Sequence, residues 1–327
     1  SDKLEELLVK NEGCFGCFIQ CGSILQVKKG RYKGNPVCGP EYETMWAFGA
    51  NLYSTDLGFV IAVNKLCDDY GLDTITAGNS IAFAMELFEK GILTTGDLDG
   101  SELSWGNQQE AYKLLMKIVK REGIGDILAL GTRKAAEIIG KKAEHCAMHV
   151  KGLEIPAYEP RGAKAHGLNL ATSTIGASHM TGYCGQELFG IPEQVDRFST
   201  EGKGALTKYN QDNAAAYDSL LICGFPACFN WMIPHHYAEF LSAATGIEEF
   251  ADKDYMLKSG ERIFNIEKTF NLREGCERKD DYLPQRFIDE PLPDGPCKGQ
   301  VFEMDLLLDD YYKAREWDPE SGFPTEK

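Results

Sequence analysis

Residues 55–70 read TDLGFVIAVNKLCDDY. Leu57, Val60, Ile61, Val63 and Cys67, with Asn64 among them, fall as a broad stripe along one side of a helix, and Ser54, Thr55 or Asp56 offers an N-cap. The same period recurs outward in both directions. It predicts helices over 4–9 (Leu4, Leu7, Leu8), 42–52, 81–90, 107–121 and 127–139. Gly91, Gly123 and Gly140 stand where such helices stop. Helical spacing resumes over 207–221, 237–244, 258–271 and 302–315. Between the two sets, residues 150–158 alternate and hold Pro156, which reads as an extended linker or edge strand. The pattern therefore predicts a mainly α, multihelical chain of two helical domains, 1–149 and 150–327, with a Pro- and Asp-rich surface loop over 282–299.

Composition narrows the function. The 327 residues are 43% hydrophobic and 26% charged, which are globular proportions. Fifty acidic residues against 34 basic ones give a net charge of -16. No cationic surplus exists to displace counterions from a nucleic acid or to hold an anionic membrane surface. No apolar run reaches the roughly 18 residues a membrane helix needs. The chain opens Ser1-Asp2 with no signal peptide, so a cytoplasmic and processed or truncated product is expected.

Eleven cysteines fit a disulfide framework poorly, because the count is odd and a chain this long needs no staples. Cys14, Cys17 and Cys21 form C-x2-C-x3-C. Three thiolates within eight residues reach one small metal centre, and soft thiolates select iron–sulfur clusters or zinc. Zinc sites more often show two C-x2-C pairs or His ligands, and no second pair exists here. A [4Fe–4S] cluster with a remote fourth cysteine is favoured. Cys38, Cys67, Cys146, Cys184, Cys223, Cys228, Cys276 and Cys297 are its candidates, and spacing does not choose among them.

Three further features stand out. Asp68-Asp69-Tyr70-Gly71-Leu72-Asp73 and Asp218-Ser219-Leu220-Leu221-Ile222-Cys223 each follow a helix and echo one another, either as acceptor loops for an N–H-rich heterocycle or as a plain C-cap and an accidental match. His179 follows the small-residue stretch from Ser173 to Ser178, which lets backbone approach a ligand; the alternative is a satisfied structural histidine. Glu41 and Glu43 open a helix in GPEYET, as dipole partners or with one of them as a buried base. Trp46, Phe48, Tyr53, Phe225, Phe229 and Trp231 read either as core or as an aromatic pocket.

Together these segments resemble the tungsten-containing aldehyde:ferredoxin oxidoreductase family. The resemblance rests on CxxCxxxC at 14–21, GPEYET at 39–44 and LCDDYGLDT at 66–74. It continues through HVKGLEIPAYEPRGAKAHGLNLATSTIGASHM at 149–180 and DxxxxC at 218–223. It implies tungsten, or molybdenum, held between two molybdopterins beside a [4Fe–4S] cluster, with magnesium bridging the pterin phosphates. By match to the motifs, Cys14, Cys17, Cys21 and Cys223 are the implied cluster ligands. Asp68, Leu72 and Asp73 would bind one pterin, and Asp218 with Ile222 the other. His179 matches the active-site histidine, and Glu43, preferred over Glu41, the active-site glutamate.

The implied reaction oxidises an aldehyde to a carboxylic acid and passes electrons to ferredoxin or a similar acceptor. A non-aldehyde substrate, or an iron–sulfur electron-transfer or assembly role without pterin, are the alternatives. Lys28, Lys29, Arg31 and Lys33 are a candidate basic patch for the acceptor. Three departures bear on this. Leu221 stands where the second loop usually has glycine, Ala62 where a subunit-bridging iron would need Glu, and Thr181 where a basic residue often follows the histidine. A bridging iron is therefore not expected, although a homo-oligomer remains compatible. Family members are nearly twice as long, with an N-terminal β-rich domain under the pterin site, so a chain without that domain is expected to hold the cofactor weakly.

Overall fold

A computed structural model describes residues 2–228 and 232–325. Fifteen α-helices and only five short strands occur among the described residues, so the mainly α reading holds. The chain divides into two compact units, Ser1–Met148 and His149–Lys327.

In the first unit the stripe at 55–70 is the helix Leu57–Tyr70. Asp56 is its N-cap, accepting from the Gly58 and Phe59 amides. It packs Phe59, Val60, Val63 and Cys67 into a core with Phe48, Leu52, Ile81, Phe83, Leu87 and Leu115. Phe48 meets Phe59 edge-on, with ring centroids 6.5 Å apart. The helix Thr74–Glu89 starts seven residues before the expected 81, because Asp73 caps it. The helix expected at 127–139 is two, Ile124–Leu128 and Thr132–Ile139, broken at Gly131 with φ 83°.

The start of the chain departs from expectation. Only Asp2–Glu5 is helical, and the rest of 4–9 enters strand β1, Leu8–Glu12. It pairs antiparallel with β2, Gly22–Leu25, which pairs with β3, Val37–Cys38. Leu4, Leu7 and Leu8 do cover an apolar surface, but the one formed by Leu25, Val27, Val37 and Ile61 against the sheet.

The second unit opens with a small hairpin instead of a linker: β4, His149–Val150, pairs with β5, Leu153–Glu154. Its two-residue turn, Lys151-Gly152, has φ 54° and 92°, the backbone hairpin turns require. The central element is the helix Lys203–Ser219, packed by Lys253–Arg273, Met304–Arg315 and Lys164–Thr172. Its core contact is partly ionic. Fully buried Arg315 bonds Asp212 and Gln211, and buried Lys268 bonds Asp281 at 2.5 Å. The segment 282–299 is irregular except for the helix Gln285–Asp289, which seats Phe287 in the interior.

Candidate active site

The three motif cysteines sit on the connection between β1 and β2. The Cys17 amide donates to the Cys14 carbonyl at 3.0 Å, and Gly16 and Gln20 take positive φ of 73° and 47°. The loop thus doubles back on itself and turns Cys14 and Cys21 outward, with Cys17 half-buried. None of the eleven cysteines is in a disulfide among the described residues. Among the described residues, no three His, Cys, Asp or Glu side chains converge at metal-binding distance. The donor set is nevertheless the soft one a cluster takes: three thiols, none of them in a disulfide, on one exposed loop.

Two short links organise the other predicted residues of the first unit, one of them from this sheet. Buried Asn64 donates from Nδ2 to the Cys38 carbonyl at 2.9 Å and to Asp68 Oδ2 at 3.2 Å. The hydroxyls of Thr44 and Thr74 meet at 2.8 Å. The second link pins the start of the helix Tyr42–Phe48, where Glu43 lies, to the start of the helix that Asp73 caps. Glu43 is half-buried in the first turn of its helix, where the dipole favours a carboxylate, while Glu41 is exposed at the N-cap. Asp68 and Asp73 are exposed on either side of Gly71. One oxygen of Asp73 is already engaged by the Thr76 amide at 2.6 Å.

The acidic turns share a construction. In the first, Gly71 N–H donates to the Asp68 carbonyl (3.4 Å) and Leu72 N–H to the Cys67 carbonyl (2.9 Å). In the second, Leu221 N–H donates to the Asp218 carbonyl (3.0 Å) and Ile222 N–H to the Tyr217 carbonyl (3.1 Å). Both place the fourth residue in the left-handed region, Gly71 at φ 67° and Leu221 at φ 58°. Burial, and then the Glu267 carboxylate, raises the Asp218 carboxyl above the usual range.

The residue after His179 reaches the end of this second turn. The terminal methyl of Met180 packs over Gly224, where an added Cβ would meet it at 2.7 Å. The His179 ring stacks on Tyr158 (centroids 5.5 Å, 27° between planes), and the Tyr158 and Tyr183 hydroxyls meet at 2.9 Å. Behind Tyr158 lies His166, 4.5 Å away and 1% exposed. Burial holds His179 below the ordinary histidine value. Burial, and then the charge of His179, holds His166 down at about 3. Burial therefore favours the neutral imidazole at both positions. Tyr158, His166 and Tyr183 escaped the sequence reading, because their irregular separations follow no helical or strand period.

Two sequence readings change. Phe48 is core and Tyr53 is exposed against Trp105, so neither supports an aromatic pocket; Phe229 and Trp231 lie outside the described residues. Lys28, Lys29, Arg31 and Lys33 do not border the cysteine loop. They lie on the β2–β3 connection, at the other end of β2 from Cys21. There Lys29 and Arg31 line a separate cavity of about 450 Å3 with Tyr32, Asp56 and Gln108. No helix among the described residues is long and apolar enough to cross a membrane.

A mainly helical chain with a thiol-bearing hairpin loop, twin acidic turns and a tyrosine-flanked imidazole has close counterparts. The family model described as "Aldehyde ferredoxin oxidoreductase, domains 2 & 3" matches residues 1–327. The tungsten-containing aldehyde ferredoxin oxidoreductases of Pyrococcus furiosus and Thermococcus kodakarensis are each 41% identical over 324 residues, 98% of this chain and 52% of theirs. The WOR-like subunit of an aliphatic sulfonate oxidoreductase from Pyrococcus furiosus is 33% identical, over 96% of this chain and 48% of its own. Among solved structures, the active-site complex BamBC of benzoyl coenzyme A reductase, with 1,5-dienoyl-CoA, has a TM-score of 0.78 at 25% identity, over 99% of this chain and 52% of that one. The chain belongs to the aldehyde ferredoxin oxidoreductase family. It spans about half the length of the curated relatives it matches.

Proposed function

We propose that this chain forms part of a tungsten–pterin oxidoreductase that oxidises aldehydes to carboxylic acids and hands electrons to ferredoxin or a similar acceptor. The observation that carries the reading is the family match over residues 1–327, together with the repeated acidic turn. Asp68, Leu72 and Asp73 would hold one pterin, and Asp218 and Ile222 the other. Cys14, Cys17, Cys21 and Cys223 would hold a [4Fe–4S] cluster; their exposed or half-exposed positions, outside any disulfide, support this. When bound, the metal–pterin centre supplies the two-electron oxidation and polarises the carbonyl, and the cluster supplies a one-electron exit.

The chain's own residues supply proton handling. Glu43 acts as general base on water or on the hydrated aldehyde; its half-buried place in the first turn of a helix partly shields the carboxylate from solvent. His179, neutral because buried, donates a hydrogen bond to the carbonyl oxygen as negative charge grows there. Tyr158 stacked on its ring limits rotation of that donor.

The test is metal and pterin analysis of the anaerobically purified intact enzyme, followed by aldehyde-dependent dye reduction. About four irons and about one tungsten or molybdenum, with activity lost on removing the latter, is the expected result. Activity that survives in metal-free protein overturns it. The sulfonate oxidoreductase relative and the benzoyl coenzyme A reductase likeness favour a second reading, a non-aldehyde substrate on the same centre. A substrate scan with one artificial acceptor separates the two.

A further inference from the structure

His166 is a deeply buried titratable group near His179, and the chemistry proposed above does not use it. Its own placement is firmly fixed. It sits in the first turn of the helix Lys164–Thr172, whose Ala165 and His166 amides donate at 3.1 Å to the two oxygens of Glu187. Glu187 is itself buried and ion-paired to buried Lys203. The imidazole accepts from the Cys184 amide at Nδ1, 3.5 Å away, which leaves the proton on Nε2. Nε2 has no hydrogen-bond partner among the described residues.

A buried imidazole that leaves a donor unpaired costs stability, so what His166 contributes here is its ring rather than a hydrogen bond from Nε2. The geometry gives one. Tyr158 lies between two imidazoles, with His166 at 4.5 Å and His179 at 5.5 Å. His166 also touches Tyr183 (5.4 Å), whose hydroxyl holds that of Tyr158 and whose ring stacks on Phe189. The titratable groups around the pair are these two tyrosines, Cys184 and Glu187, with Lys203 behind. Tyr158 is therefore fixed at its back by His166 and at its hydroxyl by Tyr183, and it presents a fixed face to His179.

We propose that His166 is a positioning residue for His179, acting through Tyr158 as a rigid aromatic backstop and not as a proton carrier. The inference rests on the reading of His179 as the active-site histidine, but its test does not. The full chain, labelled at histidine Cε1, is followed by NMR in wild type, His166→Leu and His166→Phe, with thermal unfolding to confirm that each folds. In the wild type, Tyr158 stacking displaces the His179 signal from the position of a free histidine. In H166L that displacement shrinks and the His179 titration moves up toward its ordinary value; in H166F, which restores a ring without nitrogens, both return. A His179 signal unchanged in H166L overturns the proposal, and so does an H166F signal that follows H166L. If H166L does not fold, the wild type still decides: NOEs must link Tyr158 to both imidazole rings, and their absence overturns the proposal. Dye reduction by the His179→Asn form of the intact enzyme separately tests the underlying reading, since activity retained there removes His179 from the chemistry whatever the NMR shows.

Discussion

Leu221 holds the backbone conformation of Gly71, φ 58° against 67°, at the same step of a turn with the same two hydrogen bonds. Glycine adopts this region freely, while a residue with a Cβ pays roughly 1–2 kcal/mol. Leu221 recovers little of that through packing, since it is 94% exposed. Leu221→Gly removes the strain but adds about 0.5–1 kcal/mol of unfolded-chain entropy. We expect a net gain of about 0.5 kcal/mol in urea unfolding, and a loss of about 1 kcal/mol for Gly71→Leu. A Leu221→Gly variant less stable than wild type by a full kcal/mol would show that the leucine makes a contact worth more than its strain.

The depressed histidines give stability a pH slope. In the unfolded chain His166 takes a proton near pH 6.5, but in the folded chain only near 3. Between those values the unfolded state holds more protons, so stability falls as pH falls through the window. For His166 alone the loss from pH 7.5 to 5 is about 2 kcal/mol, and His179 adds in the same direction. The difference in urea-unfolding free energy between the two pH values should shrink by that amount in His166→Phe. An equal slope in both proteins would mean that folded His166 is protonated at pH 5.

The helical architecture was legible because long amphipathic elements repeat their signal. The stripe from Leu57 to Cys67 spans about three turns, and Asp56, one of three cap candidates, is the cap. The sheet at 8–38 was not, because its strands are two to five residues long and β1 keeps only Leu8 partly covered. Such strands are specified by pairing partners and leave no alternation to read. Candidate cysteines, acids and His179 were legible as motifs because they fall in short local runs. Tyr158, His166 and Tyr183 converge only when the segment after the hairpin, a helix and the residue that closes a short turn fold together, and no local spacing encodes that.

Asp73 has a structural duty and a proposed functional one, and two substitutions separate them. Its Oδ2 caps the helix Thr74–Glu89 through the Thr76 amide. Asparagine caps nearly as well as aspartate, whereas alanine costs about 1 kcal/mol. Asp73→Asn should therefore unfold at the wild-type urea midpoint, while Asp73→Ala unfolds earlier. If the carboxylate also holds a pterin, both variants of the intact enzyme should lose bound pterin on gel filtration. Full pterin retention in Asp73→Asn would leave Asp73 with only the cap.

Arg315 supports the second acidic turn from below. Its guanidinium is fully buried, bonds Asp212 and Gln211, and lies over the Phe264 ring at 4.2 Å. Asp212 and Gln211 stand two turns before Asp218 on the helix Lys203–Ser219. Arg315→Met fills most of the volume but leaves Asp212 with Lys208 as its remaining cation, at 2.7 Å and nearer the surface. Removing one partner of a buried pair typically costs about 3–5 kcal/mol, and the surviving lysine should hold the loss near 3. The further substitution Asp212→Asn removes the stranded charge and should recover part of that loss, a coupling that a double-mutant cycle reads directly. Strictly additive losses would mean that Arg315 acts through its packing on Phe264 and not through the carboxylate.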